Sequence, residues 1–311
     1  MAETSQTRAN QGRNVGSAGW RQITAPGDAG ETIPVTVCYP TQGVEVPQPI
    51  GPYTIAAAWE APPRPGPHPL VMLSHGSGSS PLVNRDLALA MARSGFVVGM
   101  PLHPGDNHQD RSAQGTTLTL QRRPRHVQVA LTALLADPQL APVTRGERIG
   151  LIGHSLGAYT ALALAGGEPR TLPESWPNGA SEPIPAAHDA RVAALVLLAP
   201  AAIWFHAPGS LDAVNVPVLM LAGERDVVTP AHHAALVAQR LPAATPLHSR
   251  IIPGAGHFAF LSVFPPAMQQ PDFAPAQDPP RFNRSAFQTE LAAEVAAFLH
   301  DRLRTQAPPG V

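Results

Sequence analysis

The segment Gly153-His154-Ser155-Leu156-Gly157 stands directly after the apolar run Arg148-Ile149-Gly150-Leu151-Ile152 and before the small, helix-forming stretch from Ala158 to Ala165. A strand, a sharp turn and a helix in that order present a serine hydroxyl at the head of a parallel sheet, aimed at an acyl group. Gly153 and Gly157 flank the turn, where a side chain would collide with the neighbouring strand and helix, so both positions need a residue without Cβ. Ser155 is therefore the candidate nucleophile.

A hydroxyl is a weak nucleophile unless a histidine takes its proton and a carboxylate orients that histidine. On this kind of sheet the three arrive in the order Ser, Asp or Glu, His. The apolar strand pattern Val216-Pro217-Val218-Leu219-Met220-Leu221-Ala222 runs into Gly223-Glu224-Arg225-Asp226. Asp226 is the preferred carboxylate, because an acid that turns toward a histidine lies a few residues past the strand; Glu224 competes. Val227-Val228-Thr229-Pro230 then leads into another helix. The extended run His248-Ser249-Arg250-Ile251-Ile252 ends in Pro253-Gly254-Ala255-Gly256-His257-Phe258, which places His257 just past a strand in a glycine-rich loop. The chain has 13 histidines, and position after the last strand is what selects this one as the base.

Upstream, the apolar strand Pro69-Leu70-Val71-Met72-Leu73 runs into Ser74-His75-Gly76-Ser77-Gly78-Ser79-Ser80. The backbone N–H groups of Ser77 and Leu156 are the expected donors to a developing oxyanion. Gly76-Ser77-Gly78 does not read as a dinucleotide loop. The third glycine of G-x-G-x-x-G is missing, Pro81 follows, and no suitable acid comes after a second strand.

Taken in order, Ser74-His75-Gly76-Ser77-Gly78, Gly153-His154-Ser155-Leu156-Gly157, Gly223-Glu224-Arg225-Asp226 and Gly254-Ala255-Gly256-His257 resemble the α/β-hydrolase superfamily, from Pro69 to Leu303. Within it the chain is similar to bacterial dienelactone-hydrolase-like and platelet-activating-factor-acetylhydrolase-like proteins. Leu102-His103-Pro104-Gly105-Asp106-Asn107 adds to that likeness. True dienelactone hydrolases use a cysteine where Ser155 stands here, so lactone specificity does not carry over. The resemblance implies a serine carboxylic-ester hydrolase that works through an acyl-enzyme on small to medium apolar or aromatic esters, with no cofactor. The same triad would serve an amidase, a peptidase or an acyltransferase. A noncatalytic binding protein on this fold would be expected to have lost a triad position, and this chain keeps all three.

All 21 basic residues are arginines. With abundant alanine and proline, that reads as the drift of a GC-rich bacterial genome, and it rules out a lysine Schiff base or a Ser-Lys dyad. A formal charge of −1 gives no electrostatic support for nucleic-acid or acidic-membrane binding. Cys38 is the only cysteine, so neither an intrachain disulfide nor a cysteine metal cluster can form. Its place in the strand pattern Ile33 to Tyr39 predicts a buried, inert thiol. The segment His103 to Asp110 holds two histidines and two acids and invites a metal reading. Triad hydrolysis needs no metal, so none is expected and the loop should bond to itself beside the site. The polar start, Met1 to Val15, lacks the apolar core of a signal peptide, and no run approaches a membrane span. This predicts a cytoplasmic protein, or a periplasmic or secreted one if a signal precedes it. The expected partner is a small-molecule ester, with a homodimer as the candidate assembly.

A chain of 311 residues can bury one large α/β core. The expected layout is a single domain over residues 16–305 between flexible tails at 1–15 and 306–311. Segments Gly19 to Ile23 and Ile33 to Tyr39 predict an antiparallel N-terminal edge, and Pro40 to Pro69 an irregular excursion with a short apolar stretch from Tyr53 to Trp59. Beyond it, strands near Gly95 to Met100 and Arg191 to Leu198 alternate with helices, as in a mostly parallel, doubly wound sheet with helices on both faces. Helices are predicted near Leu82 to Ser94, around Val127, Ala130, Leu131 and Leu134 with Pro124 in the first turn, and from Ala286 to Leu303. Insertions at 166–189, carrying Trp176, and at 258–284 should wall the pocket together with Pro200-Ala201-Ala202-Ile203-Trp204-Phe205. Trp204, Phe258 and His75 are the candidate substrate contacts. Because imidazole must be neutral to act as a base, kcat/KM is expected to rise with pH, and a flat profile would count against His257.

Overall fold

The computed structural model describes residues 16–28, 30–172 and 181–304; the expected tails and Trp176 lie outside the described residues. The strands are β1 (Ser17–Pro26), β2 (Thr32–Thr41), β3 (Val46–Ile50), β4 (Tyr53–Trp59), β5 (His68–Ser74), β6 (Val97–Pro101), β7 (Thr144–His154), β8 (Val192–Leu198), β9 (Val218–Gly223) and β10 (Leu247–Ile252). The helices are α1 (Arg85–Arg93), α2 (Thr117–Ala136), α3 (Leu156–Leu164), α4 (Ala231–Arg240) and α5 (Arg284–Arg302). The strands form one mixed sheet in the order β10-β9-β8-β7-β5-β6-β2-β1-β4-β3. From β6 to β10 every pairing is parallel. β2 runs antiparallel to both β6 and β1. No helix among the described residues is long and apolar enough to cross a membrane.

Alternation along each central strand builds a core on both faces of the sheet. Leu70 and Met72 of β5 pack into a cluster with residues of α2, α3 and α4. Val71 and Leu73 join α1 and α5 on the other side. Cys38 is fully buried in β2, and burial pushes its thiol pKa up.

Two expectations need correcting. The excursion from Pro40 to Pro69 contains a hairpin of β3 and β4, and β4 joins β1 beside Gly19 and Trp20. Tyr53, Ile55 and Ala57 alternate inward, and this pattern outweighs the surrounding prolines and glycines. Pro47 and Pro49 fit because β3 lies at the sheet edge, where a missing N–H is tolerated. The second correction concerns Pro124, which sits deep inside α2 and not in its first turn. The helix starts earlier, with the Thr116 side chain accepting from the Thr119 N–H. A proline at 124 cannot donate to the carbonyl of Leu120. The Tyr159 hydroxyl donates to that carbonyl instead, at 3.1 Å.

Between β7 and α3 the chain turns on Ser155 alone, with φ 56° and ψ −119°. A positive φ is costly for a residue with a Cβ and persists only where the surroundings over-determine it. They do so here through close packing. A Cβ on Gly153 would fall on the Gly157 carbonyl, and one on Gly157 would fall on the Ser74 carbonyl oxygen at the end of β5. Since the obstacles are backbone atoms, Gly157→Ala is expected to cost about 3 kcal/mol, the upper range for overpacking. Urea unfolding would measure it, and an unchanged midpoint would refute the packing argument.

Candidate active site

Asp226 follows the end of β9, and His257 lies in the loop after β10. Parallel pairing of β9 with β10 brings these loops side by side. His257 Nδ1 lies 2.8 Å from Asp226 Oδ2 and 3.1 Å from Thr229 Oγ1. The side chains of His257 and Asp226 are 4% and 0% exposed, so water does not compete for the contact. The other carboxylate oxygen, Oδ1, accepts the Val228 and Thr229 amides, each at 2.8 Å. Burial alone would raise the Asp226 pKa; the hydrogen bond and charge of His257, with the amide and hydroxyl of Thr229, hold it below the ordinary carboxylate value. Glu224 instead accepts the Gly254 amide at 2.7 Å, in an exposed position.

Ser155 lines the same cavity as His257. Among the described residues Ser155 Oγ makes no hydrogen bond to a protein group, His257 included; such contacts often tighten only once substrate is bound. His154 holds the imidazole from below. Its Nε2–H donates to the His257 carbonyl at 3.0 Å, and the two rings lie 5.0 Å apart. Burial, then the neighbouring His257, lowers the His154 pKa to about 3.

The loop Ser74 to Ser80 is fixed by a buried ion pair. Arg123 of α2 and Asp106 are 2.7 Å apart, each with a side chain 1% exposed. Asp106 Oδ1 accepts both the Ser77 hydroxyl and the Gly78 amide at 2.8 Å. Arg123 donates to Ser74 Oγ, to the His75 carbonyl and to Thr160 Oγ1 on α3. The segments carrying the Ser77 and Leu156 amides are thus tied to a single guanidinium. No protein acceptor among the described residues takes either amide.

Two cavities meet at Ser155. The larger, about 730 Å³, holds Phe258 in its wall, and the smaller, about 330 Å³, holds Trp204 and Leu156. Ser77 lines both. The placement of His75 needs correction, because the ring is fully buried and belongs to neither cavity wall. Its Nδ1–H donates to the Gly76 carbonyl at 2.7 Å and its Nε2 accepts the His103 amide at 3.2 Å, so no ring nitrogen is left for a ligand.

The polar loop after β6 bonds inward. His103 lies 2.9 Å from Ser74 Oγ and its ring faces those of His75 and His126. Asp110 accepts the Gly105 and Ser112 amides. Among the described residues no group of three His, Cys, Asp or Glu is placed to hold a metal ion.

Sequence reasoning missed Thr229, Arg123 and the support given by His154. An acid with a threonine three residues on is a local signal for the turn that Asp226 caps. Arg123 gave none, since Gln121-Arg122-Arg123-Pro124-Arg125 reads as a solvated charged face.

The sequence matches no protein-family model and no curated relative. Among solved structures, the chain is similar to a ferulic acid esterase from Streptomyces cinnamoneus, with a TM-score of 0.69 and 21% sequence identity. The similarity covers 97% of this chain and 94% of the other. The two proteins share a fold, and the ten-stranded mixed sheet is consistent with the α/β-hydrolase type.

Four buried histidines make the fold sensitive to acid. Burial, followed by the charge of Arg123, holds His75 and His103 well below the ordinary imidazole pKa and lowers His126 to about 4. His154 joins them at about 3. The unfolded chain takes up these protons as pH falls below about 6.5, while the folded chain does not, so stability falls with pH across that window. Each such group adds a slope of up to about 1.4 kcal/mol per pH unit. Below it, the contribution of Asp226 is lost as pH falls through its lowered folded value. The urea midpoint is expected to be lower at pH 5 than at pH 7.5, and a level midpoint would contradict the burial of neutral imidazoles.

Proposed function

We propose that this protein is a serine carboxylic-ester hydrolase of the α/β-hydrolase type. The observation that carries the reading is the buried pairing of His257 with Asp226 beside a strained Ser155 that opens into the same cavity. The shared fold with a ferulic acid esterase supports it. That relative's activity, together with Trp204 in the wall of the smaller cavity, favours esters with an aromatic acyl group. We extend the proposal to the dienelactone-hydrolase-like and platelet-activating-factor-acetylhydrolase-like branch that the sequence resembles, with serine as the nucleophile.

In this mechanism Ser155 Oγ attacks the ester carbonyl carbon while His257 Nε2 takes the hydroxyl proton. Asp226, ionised by its hydrogen bonds, fixes the imidazole tautomer through Nδ1–H and stabilises the imidazolium that forms. The carbonyl oxygen gains charge and is met by the amides of Ser77 and Leu156; losing one such donor typically costs about 3–4 kcal/mol of transition-state stabilisation. Collapse of the tetrahedral intermediate breaks the bond to the alcohol oxygen, which takes the proton from His257. Water then gives a proton to the same nitrogen and attacks the acyl carbon; the bond to Ser155 Oγ breaks, Oγ takes that proton back from His257, and the acid is released.

A panel of p-nitrophenyl esters from acetate to long-chain acyl groups, with cinnamate included, tests the reading. Ser155→Ala is expected to lower kcat by about four orders of magnitude. Equal turnover by native protein and variant would overturn the assignment of the nucleophile.

A further inference from the structure

The two cavities at Ser155 differ in one chemically decisive respect: His257 lines the larger and is absent from the wall of the smaller. Ser77, Ser155 and Val228 line both and form the divide between them. Assigning a role to each cavity rests on the hydrolase reading of Ser155 and His257.

The chemistry decides which half of an ester lies on which side. When the acyl carbon–oxygen bond breaks, its electron pair leaves with the alcohol oxygen. That oxygen must take the proton His257 Nε2 received from Ser155, so it has to lie within hydrogen-bond reach of the imidazole. His257 Nδ1 is already committed to Asp226, which leaves only Nε2 for this task. The alcohol therefore departs on the His257 side, and the acyl group occupies the space reached from Ser155 without passing the imidazole.

We infer that the larger cavity is the alcohol site and the smaller one the acyl site, so that the protein acts on esters joining a compact aromatic acid to a bulkier alcohol. The walls agree with this division. The acyl side presents the Trp204 indole, held edge-on against Tyr159 at 5.3 Å between centroids, with the hydroxyl-bearing Thr116, Thr119 and Thr171 nearby. A flat ring with polar substituents matches both kinds of surface. The alcohol side is walled by Leu82, Phe264, Met268 and Phe273, with Phe273 set edge-on against Phe264 at 5.3 Å. Its volume, about 730 Å³ against about 330 Å³, leaves room for the larger half.

Two ester series separate the sites. p-Nitrophenyl acetate and p-nitrophenyl cinnamate vary the acid at constant alcohol; methyl cinnamate and 2-phenylethyl cinnamate vary the alcohol at constant acid. Comparing kcat/KM of each variant with that of the native protein on the same ester cancels the intrinsic reactivity of the leaving group. Trp204→Ala is expected to lower the cinnamate-to-acetate ratio about tenfold and to leave the phenylethyl-to-methyl ratio within about twofold. Phe273→Ala is expected to do the reverse. Trp204→Leu and Phe273→Leu replace any alanine variant that does not fold. Ser155-dependent turnover with the two effects exchanged, mixed or absent overturns the cavity assignment alone. If none of the four esters shows Ser155-dependent turnover, the hydrolase reading itself fails, and the cavity assignment with it.

Discussion

A guanidinium buried away from water must find its whole complement of partners inside the protein, and Arg123 finds them in separate pieces of chain. Asp106 supplies the counter-charge, the His75 carbonyl and Ser74 hydroxyl come from the loop after β5, and Thr160 comes from the helix behind Ser155. A buried pair of this kind is weak evidence for stability, because desolvation offsets most of the attraction. What it does define is relative position. The loop after β5 and helix α3 are spaced by a rigid fork whose donors point in fixed directions. The strained turn at Ser155 is held from the other direction, by backbone packed too closely for any side chain at 153 or 157.

Those two supports differ in how far the sequence revealed them. The turn was legible because its determinants are adjacent: an apolar run, two glycines four apart and a small-residue helix state both the geometry and its cause. Asp226 and His257 could be selected because each follows a strand in the expected order. Arg123 was invisible, as nothing in a run of arginines says which one turns inward until α2 lies on the sheet. His75 failed for the same reason. Its neighbours suggested a loop facing the substrate, whereas long-range bonds to the segment after β6 take the ring into the interior. The hairpin of β3 and β4 was hidden by proline, whose local veto does not apply at an edge.

The histidines give the interior its character. The rings of His103 and His126 lie together against that of His75 in the loop that carries Ser77, and the His154 ring lies against that of His257. All four are held neutral by burial, so polar rings act as structural spacers around a site whose own imidazole, His257, is paired with Asp226. A count of histidines therefore overstates the number available for chemistry, and the bond to Asp226 distinguishes His257 from those that support the loops.

The proline inside α2 has a reach beyond the helix. By leaving the Leu120 carbonyl without its usual donor, Pro124 anchors the Tyr159 hydroxyl, and the Tyr159 ring is the surface against which the Trp204 indole stands. Leu120 and Trp204 both face the smaller cavity. A gap in one helix's hydrogen-bond ladder is thereby transmitted as the tilt of an aromatic wall. Selection acting on residue 124, itself outside the wall of that cavity, would have a lever on the cavity's shape that leaves Ser155, Asp226 and His257 unchanged.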